Sequence, residues 1–140
     1  MTQHWILKTE PSTYAFADLA REGVTRWDGV RNHQAQKNMR AMALGDWVLI
    51  YHSVGPKTLV GLGKIVKTAY PDPANTGKES WSLVDVGYVG PLVREVSLAE
   101  IKADPSLTDI ALVRQGRLSV MPVTPAEFAT LMGMAETPLP

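Results

Sequence analysis

The side chains best suited to ligand chemistry lie in the segment 24–53. Trp27 stands there among polar residues, and the stretch between Asp28 and Asp46 contains no acid but three cations, Arg31, Lys37 and Arg40. An aromatic ring beside polar groups can form a small pocket in which a few hydrogen bonds orient a ligand. Most such rings pack in the core instead, so residue types alone favour a core role for Trp27 and a helix-capping role for Asn32.

The sequence shows no pattern typical of a metal site or of a catalytic site. The three histidines lack the spacing and the nearby acids of a metal site, and the absence of cysteine excludes disulfides, thiolate zinc sites and a cysteine nucleophile. His52 and Ser53 are neighbours on a predicted strand, so they point to opposite faces and make a poor base–nucleophile pair. We therefore predict no enzyme activity, no metal and no cofactor. If the pocket did catalyse a reaction, His52 or Asp72 would have to supply the acid or base.

Composition predicts an ordinary single globular domain over residues 1–140, with 45% apolar and 20% charged residues. The formal net charge of zero argues against binding by bulk phosphate attraction, but it permits recognition of a single base. The N-terminus lacks the pattern of a signal peptide, and no apolar run approaches the ~18 residues that would span a membrane. We expect a cytoplasmic protein with no membrane partner.

Apolar runs and capping residues predict the elements that must position the pocket. Strands are expected at 4–8, 47–53, 58–70, 81–89, 93–96 and 117–123. Helices are expected after the caps Ser12, Asn32, Ser97, Thr108 or Asp109, and Thr124. Trp27 is expected on a loop, and residues 70–78, rich in Pro, Gly and Asn, form the one long irregular loop. The strands lack βαβ alternation, so the fold class is α+β with a mainly antiparallel sheet that could close into a small barrel. Residues 134–140 are expected to be a loose tail.

The string Trp27-Asp28-Gly29-Val30-Arg31-Asn32, followed by Gln34-Ala35, resembles the signature of the EVE domain family, which belongs to the PUA-like superfamily. Further blocks resemble the family in order along the chain: Lys8-Thr9-Glu10-Pro11, Tyr51-His52-Ser53, Tyr70-Pro71-Asp72 and residues 114–120. The resemblance extends from His4 to about Leu131. It implies a PUA-like, small and mostly antiparallel β-barrel with short peripheral helices, of the short bacterial type.

The resemblance also implies a function, which is binding of a modified nucleobase flipped into a pocket, as in the related YTH domains. The implied partner is DNA or RNA that carries a modified base such as 5-methylcytosine, bound by a monomer. An apolar or aromatic cage is the expected means of detecting a methyl group, since a methyl gains little from hydrogen bonding. Two alternatives stay open: an enzyme acting on a modified nucleotide or another small molecule in the same pocket, and a protein-interaction module.

The matching positions carry expected roles in the pocket. Trp27 is expected to stack on the base or to close the cage. Asn32 and Ser53 are expected to hydrogen-bond the base edge, and Lys8 and Thr9 to line the pocket from the first strand.

The rim of the pocket is expected to come from later blocks. Tyr70 and Pro71 would close it from the long loop, unless Tyr70 belongs to the core. Arg31 and Arg117 would meet phosphate or shape the rim, with Ser119 nearby. In the alternative, both arginines form ion pairs with acids such as Asp28 or Asp109.

Overall fold

A computed structural model describes residues 3–73 and 81–140 of the chain. Its strands are β1 His4–Thr9, β2 Val24–Trp27, β3 Trp47–His52, β4 Thr58–Pro71, β5 Ser82–Ser97 and β6 Val120–Val123. Its α-helices are α1 Phe16–Glu22, α2 His33–Arg40, α3 Leu98–Ala103, α4 Ala111–Arg114 and α5 Pro125–Met134, with a 3-10 turn at Pro105–Leu107. None of the helices in these ranges is long and apolar enough to cross a membrane.

The strands form one mixed sheet in the order β2-β5-β4-β3-β1-β6. β1 and β3 are parallel, and the other neighbouring pairs are antiparallel. The prediction of an α+β fold is therefore confirmed.

The predicted barrel is wrong, because the described strands leave β2 and β6 as unpaired edges of an open sheet. Helix α2 connects the edge strand β6 with β5, the neighbour of the other edge strand. The Asn38 side chain donates to the carbonyl of Val120 in β6 at 2.8 Å, and the Gln36 side chain bonds to the backbone of Ser82 in β5. Side-chain contacts from a helix thus replace the main-chain ladder that would close a barrel.

Trp27 lies at the end of a strand, and its predicted position on a loop is wrong. β2 pairs with β5 from Val24 opposite Gly87 to Trp27 opposite Val84. The sequence pattern missed β2 because an edge strand needs little apolar surface: of its four residues only Trp27 is buried.

β5 also differs from the prediction, which broke it at Gly90-Pro91. These two residues pair with β4 at a register irregularity, and β2 no longer runs beside β5 there. A proline can be accommodated at such a place because its missing N–H interrupts no ladder on the open side. Helix α1 begins after Ala15 instead of Ser12, with the Asp18 carboxylate accepting the N–H of Ala15.

Three of the predicted helix caps, Asn32, Ser97 and Thr124, are formed. The predicted cap at Thr108 or Asp109 is wrong, because α4 begins after Ile110, which provides no side-chain cap. The side chain of Asn32 accepts the N–H of Ala35 at 2.9 Å, and Ser97 and Thr124 each form a complete capping box. At the chain's end, the Ala135 carbonyl and the Thr137 hydroxyl accept backbone N–H groups of β5.

Gly61 marks a close approach of helix α1 to β4. A Cβ built on Gly61 would lie 2.1 Å from the ring of Phe16, so only glycine lets helix α1 pack against β4 at this point. The pairing of β4 with β5 changes register between Leu59 and Gly61 and again between Leu62 and Gly63. Such irregularities locally bend a strand and increase its twist.

Candidate functional site

An open cleft of about 840 Å³ lies between the end of β1, the segment that follows it, and β2. Ligand sites in proteins typically occupy ~300–1,000 Å³, so the cleft is large enough for a small ligand. Of the residues predicted for the site, it brings together Lys8, Thr9, Trp27, Arg31 and Ser119.

Trp27 both belongs to the hydrophobic core and lines this cleft. Its side chain is 7% exposed, and the Tyr14 ring meets it edge-on with centroids 6.0 Å apart. The Tyr14 hydroxyl donates to the Glu22 carboxylate at 2.5 Å. Burial, followed by the contact with Glu22, raises the pKa of Tyr14 to about 12, so its hydroxyl stays protonated at neutral pH. The two rings form a fixed apolar wall with a polar margin.

Thr9 supplies an acceptor at the end of β1, where it lines the cleft. Its hydroxyl donates to the Tyr14 carbonyl at 2.6 Å, so the oxygen's lone pairs remain available. Ser53 lies behind Thr9: its N–H donates to the Thr9 carbonyl at 3.0 Å, and Ser53 is not among the residues that line the cleft. The parallel pairing of β1 with β3, which sets Thr9 opposite His52, accounts for this arrangement.

Lys8 joins the cleft to the segment before β6. Its ammonium donates to the Gly116 carbonyl at 2.8 Å, and its backbone N–H donates to the Ser119 carbonyl at 2.9 Å. Burial lowers the pKa of Lys8, and the positive charge of Lys57 lowers it further. Two segments that are more than a hundred residues apart in sequence thus form one wall.

Arg31 lies at the rim of the cleft in an ion pair that the sequence did not predict. Its guanidinium is 3.5 Å from the carboxylate of Asp72, whose side chain is only 6% exposed. The guanidinium also lies 5.3 Å from the ring centroid of Trp81, on which the His33 ring stacks. The partner is therefore Asp72, while Asp109 pairs with Arg114.

Asn32 and Arg117 line a second, smaller cleft of about 280 Å³, together with Gln34 and residues 115–118. The two clefts adjoin, because Arg31 and Ser119 of the larger one are the chain neighbours of Asn32 and Leu118 of the smaller one. The Asn32 side-chain oxygen is used in capping α2, which leaves its amide N–H groups as donors.

Tyr70 and Pro71 were predicted to lie on a loop. They are instead the last residues of β4, where they pair with Leu83 and Ser82. The Tyr70 hydroxyl donates to the Asp85 carboxylate at 2.5 Å, and burial together with Asp85 raises the pKa of Tyr70 to about 12. Neither residue is among those that line the larger cleft. Residues 74–78 of the predicted loop fall outside the described residues.

Gln36 is a buried positioning residue that sequence reasoning missed. It is 0% exposed, and its amide nitrogen donates to the carbonyls of Val30 at 2.8 Å and Ser82 at 3.0 Å. Its amide oxygen accepts the Ser82 N–H at 2.9 Å. These bonds fix the turn that links Trp27 to α2. The sequence carries one signal of this burial: Gln36 follows Ala35 directly and precedes Met39 by three residues, and both of these belong to the buried face of the helix.

The two residues that could have served as catalytic acid or base do not line the larger cleft. His52 lines a separate cleft of about 310 Å³, and its Nε2 accepts the N–H of Phe16 at 3.1 Å. Burial lowers the pKa of His52, while the charge of Glu95 opposes this shift. The part of the chain that the structure describes holds no group of three or more His, Asp or Glu side chains placed to bind a metal ion.

The family model of the EVE domain matches residues 3–134. The chain belongs to the EVE domain family. Human thymocyte nuclear protein 1 is 33% identical over 97% of this chain and 75% of its own length. This confirms the resemblance that the sequence blocks carry.

Solved structures agree with the fold of this EVE domain. Protein Atu2648 of Agrobacterium tumefaciens superposes with a TM-score of 0.95 at 35% identity, covering 99% of this chain and 97% of that one. Human THYN1, in complex with DNA that contains 5-methylcytosine, gives a TM-score of 0.89 at 33% identity over 99% of this chain and 100% of that one. A YTH domain of Zygosaccharomyces rouxii, solved with N6-methyladenosine RNA, gives 0.61 at 10% identity over 99% of this chain and 89% of that one, a likeness of fold alone.

Proposed function

We propose that this EVE domain binds nucleic acid through a modified base that is flipped out of its strand into the larger cleft. The observation that carries the proposal is the cleft of about 840 Å³ itself, which is lined by Trp27 together with the hydroxyl-bearing residues Thr9 and Ser119. The complex of the related human protein with 5-methylcytosine DNA supports it. We therefore choose 5-methylcytosine in DNA as the first ligand, with modified RNA as the alternative.

The geometry suits recognition of a single extruded base. Aromatic side chains bind bases by stacking, and hydroxyl and backbone groups can pair with the base edge. Such a site needs only a few phosphate contacts, which agrees with a formal net charge of zero. We propose that the domain acts as a monomer. We also propose that it binds its ligand without catalysing a reaction, since the candidate acid or base residues His52 and Asp72 lie outside the cleft lining.

Replacing Trp27 tests the proposal. Because the ring is mostly buried, Trp27→Ala would leave a large cavity, whereas Trp27→Leu keeps apolar volume and removes the flat ring. Trp47→Leu is the matched control, since Trp47 is half-buried at the opposite end of β3 and does not line the cleft. Fluorescence anisotropy would measure the Kd for labelled single strands that differ only in one methyl group on cytosine. Circular dichroism would establish that both variants are folded.

Stacking of one base on an aromatic side chain contributes about 1–3 kcal/mol, so Trp27→Leu should weaken binding of the methylated strand by about 5- to 150-fold. Trp47→Leu should leave it unchanged. Wild-type protein that prefers no modified base in DNA or RNA would contradict the proposal, as would a folded Trp27→Leu variant of unchanged affinity.

A further inference from the structure

We propose that the phosphodiester next to the flipped base is held on the β1 side of the cleft, by Lys8, Lys57 and Arg117. This inference rests on the proposed function and names the path of the backbone past the site.

The fold places the three cations near one end of the sheet. β1 and β3 run parallel, with Thr9 opposite His52 in the last pair. The turn 53–57 continues from there, and its first residue, Ser53, donates its N–H to the Thr9 carbonyl. Lys57 at the end of this turn therefore lies at the same end of the sheet as Lys8. Arg117 reaches this end because the Lys8 ammonium bonds to the carbonyl of the preceding residue, Gly116.

These three cations are not neutralised within the described part of the chain. The ion pairs found there involve other residues, and the carboxylate of Glu10, which also lines the cleft, makes no ion pair with Lys8. Lys8 is half-buried, and the charge of Lys57 further lowers its pKa. Two ammonium groups that disfavour each other in this way are stabilised when an anion binds between them.

The opposite side of the cleft is less suited to a phosphate. Arg31 is within ion-pair distance of Asp72, and its guanidinium also lies over Trp81. Arg26 pairs directly across from Asp85 in the β2–β5 ladder. A phosphate that approached these arginines would meet carboxylates as well, and would be repelled by them. The charge distribution therefore favours the β1 side for the backbone.

The salt dependence of binding tests this inference, because a phosphate contact releases counterions whatever the base. The variants are Lys8→Ala and Lys57→Ala. The matched control is Lys64→Ala, which removes the same charge at the opposite end of β3, where Lys64 lies over the ring of Trp47. Kd would be measured by anisotropy for methylated and unmethylated single strands, from about 0.05 to 0.3 M NaCl.

Each phosphate contact with a single strand contributes about 0.7 to the slope of log K against log salt, which corresponds to about fourfold weaker binding at ~0.15 M. We expect Lys57→Ala and Lys8→Ala to lower the slope by about this amount and to weaken binding of both strands. For Lys57→Ala, the ratio of the Kd for the unmethylated strand to the Kd for the methylated strand should equal the wild-type ratio. For Lys64→Ala, the slope of log K against log salt should equal the wild-type slope.

Slopes for the two variants equal to the Lys64→Ala slope would overturn the inference, as would a Lys57→Ala loss confined to the methylated strand. The proposed function would survive either result if the wild type still prefers the modified base. Conversely, a wild type without base preference, but with the expected loss of slope in Lys57→Ala, would refute the base-reading function and leave the phosphate site standing.

Discussion

Replacing Gln36 by leucine tests whether one buried amide holds the turn between Trp27 and α2 in place. The change removes three hydrogen bonds of 2.8–3.0 Å to the backbone of Val30 and Ser82. Each buried backbone group left without a partner costs about 1–3 kcal/mol. Water can reach half-buried Ser82, and leucine adds roughly 1 kcal/mol of apolar burial, so the net loss should be about 2–4 kcal/mol.

Urea unfolding would measure this loss directly, and thermal unfolding should show Tm lowered by roughly 5–15 °C for a domain of this size. Gln34→Leu is the matched control, because Gln34 lies on the same helix but is exposed, and its side chain donates to the side chain of Gln115. That control should change the unfolding free energy by less than about 1 kcal/mol. If the two variants unfold within about 1 kcal/mol of each other, the positioning role assigned to Gln36 is refuted.

Two further substitutions probe the packing of α1 against the sheet. Gly61→Ala should destabilise the fold by about 3 kcal/mol, because its Cβ would overlap the Phe16 ring, whereas Gly90→Ala meets open space; equal unfolding free energies would contradict this reasoning. We expect His52→Gln to reduce the fall in the free energy of unfolding between pH 7.5 and 5. Burial lowers the pKa of His52 in the folded state, so its contribution is present above the unfolded pKa of about 6.5 and is lost as the pH falls and the unfolded chain binds the proton more readily. Urea unfolding at several pH values would measure how the free energy of unfolding depends on pH in the wild type and in the variant. The same dependence in both would exclude this role of His52.

The elements that the sequence predicts well are those with local signals. The apolar runs of β1, β3 and β4 and the cap at Asn32 need only neighbouring residues to be read. β2 was missed because its polar residues become a strand only by pairing with β5, some sixty residues further on. The barrel was wrongly predicted for a related reason: α2 packs between β6 and β5, and nothing in its own pattern says where it packs.

The cleft could be predicted only in part. The family resemblance assigned Lys8, Thr9 and Trp27 to a common pocket, where the structure finds them together. Tyr70 was assigned to a loop because Pro, Gly and Asn follow it, yet its pairing with Leu83 keeps it in β4. Gln36 was not identified as a site residue. Its burial depends on the carbonyls of Val30 and Ser82, which the sequence alone does not bring near it.

The pairing of β1 with β6 has a consequence for how the domain is made. β1 leaves the ribosome before the other strands of this domain, and the segment that carries Gly116 and Ser119 follows about a hundred residues later. Until then, the edge of β1 that faces β6 has no neighbour, and the Lys8 ammonium lacks its carbonyl partner. A nascent chain therefore cannot present the complete wall formed by Lys8, Gly116 and Ser119 before its C-terminal segment has been synthesised and has docked.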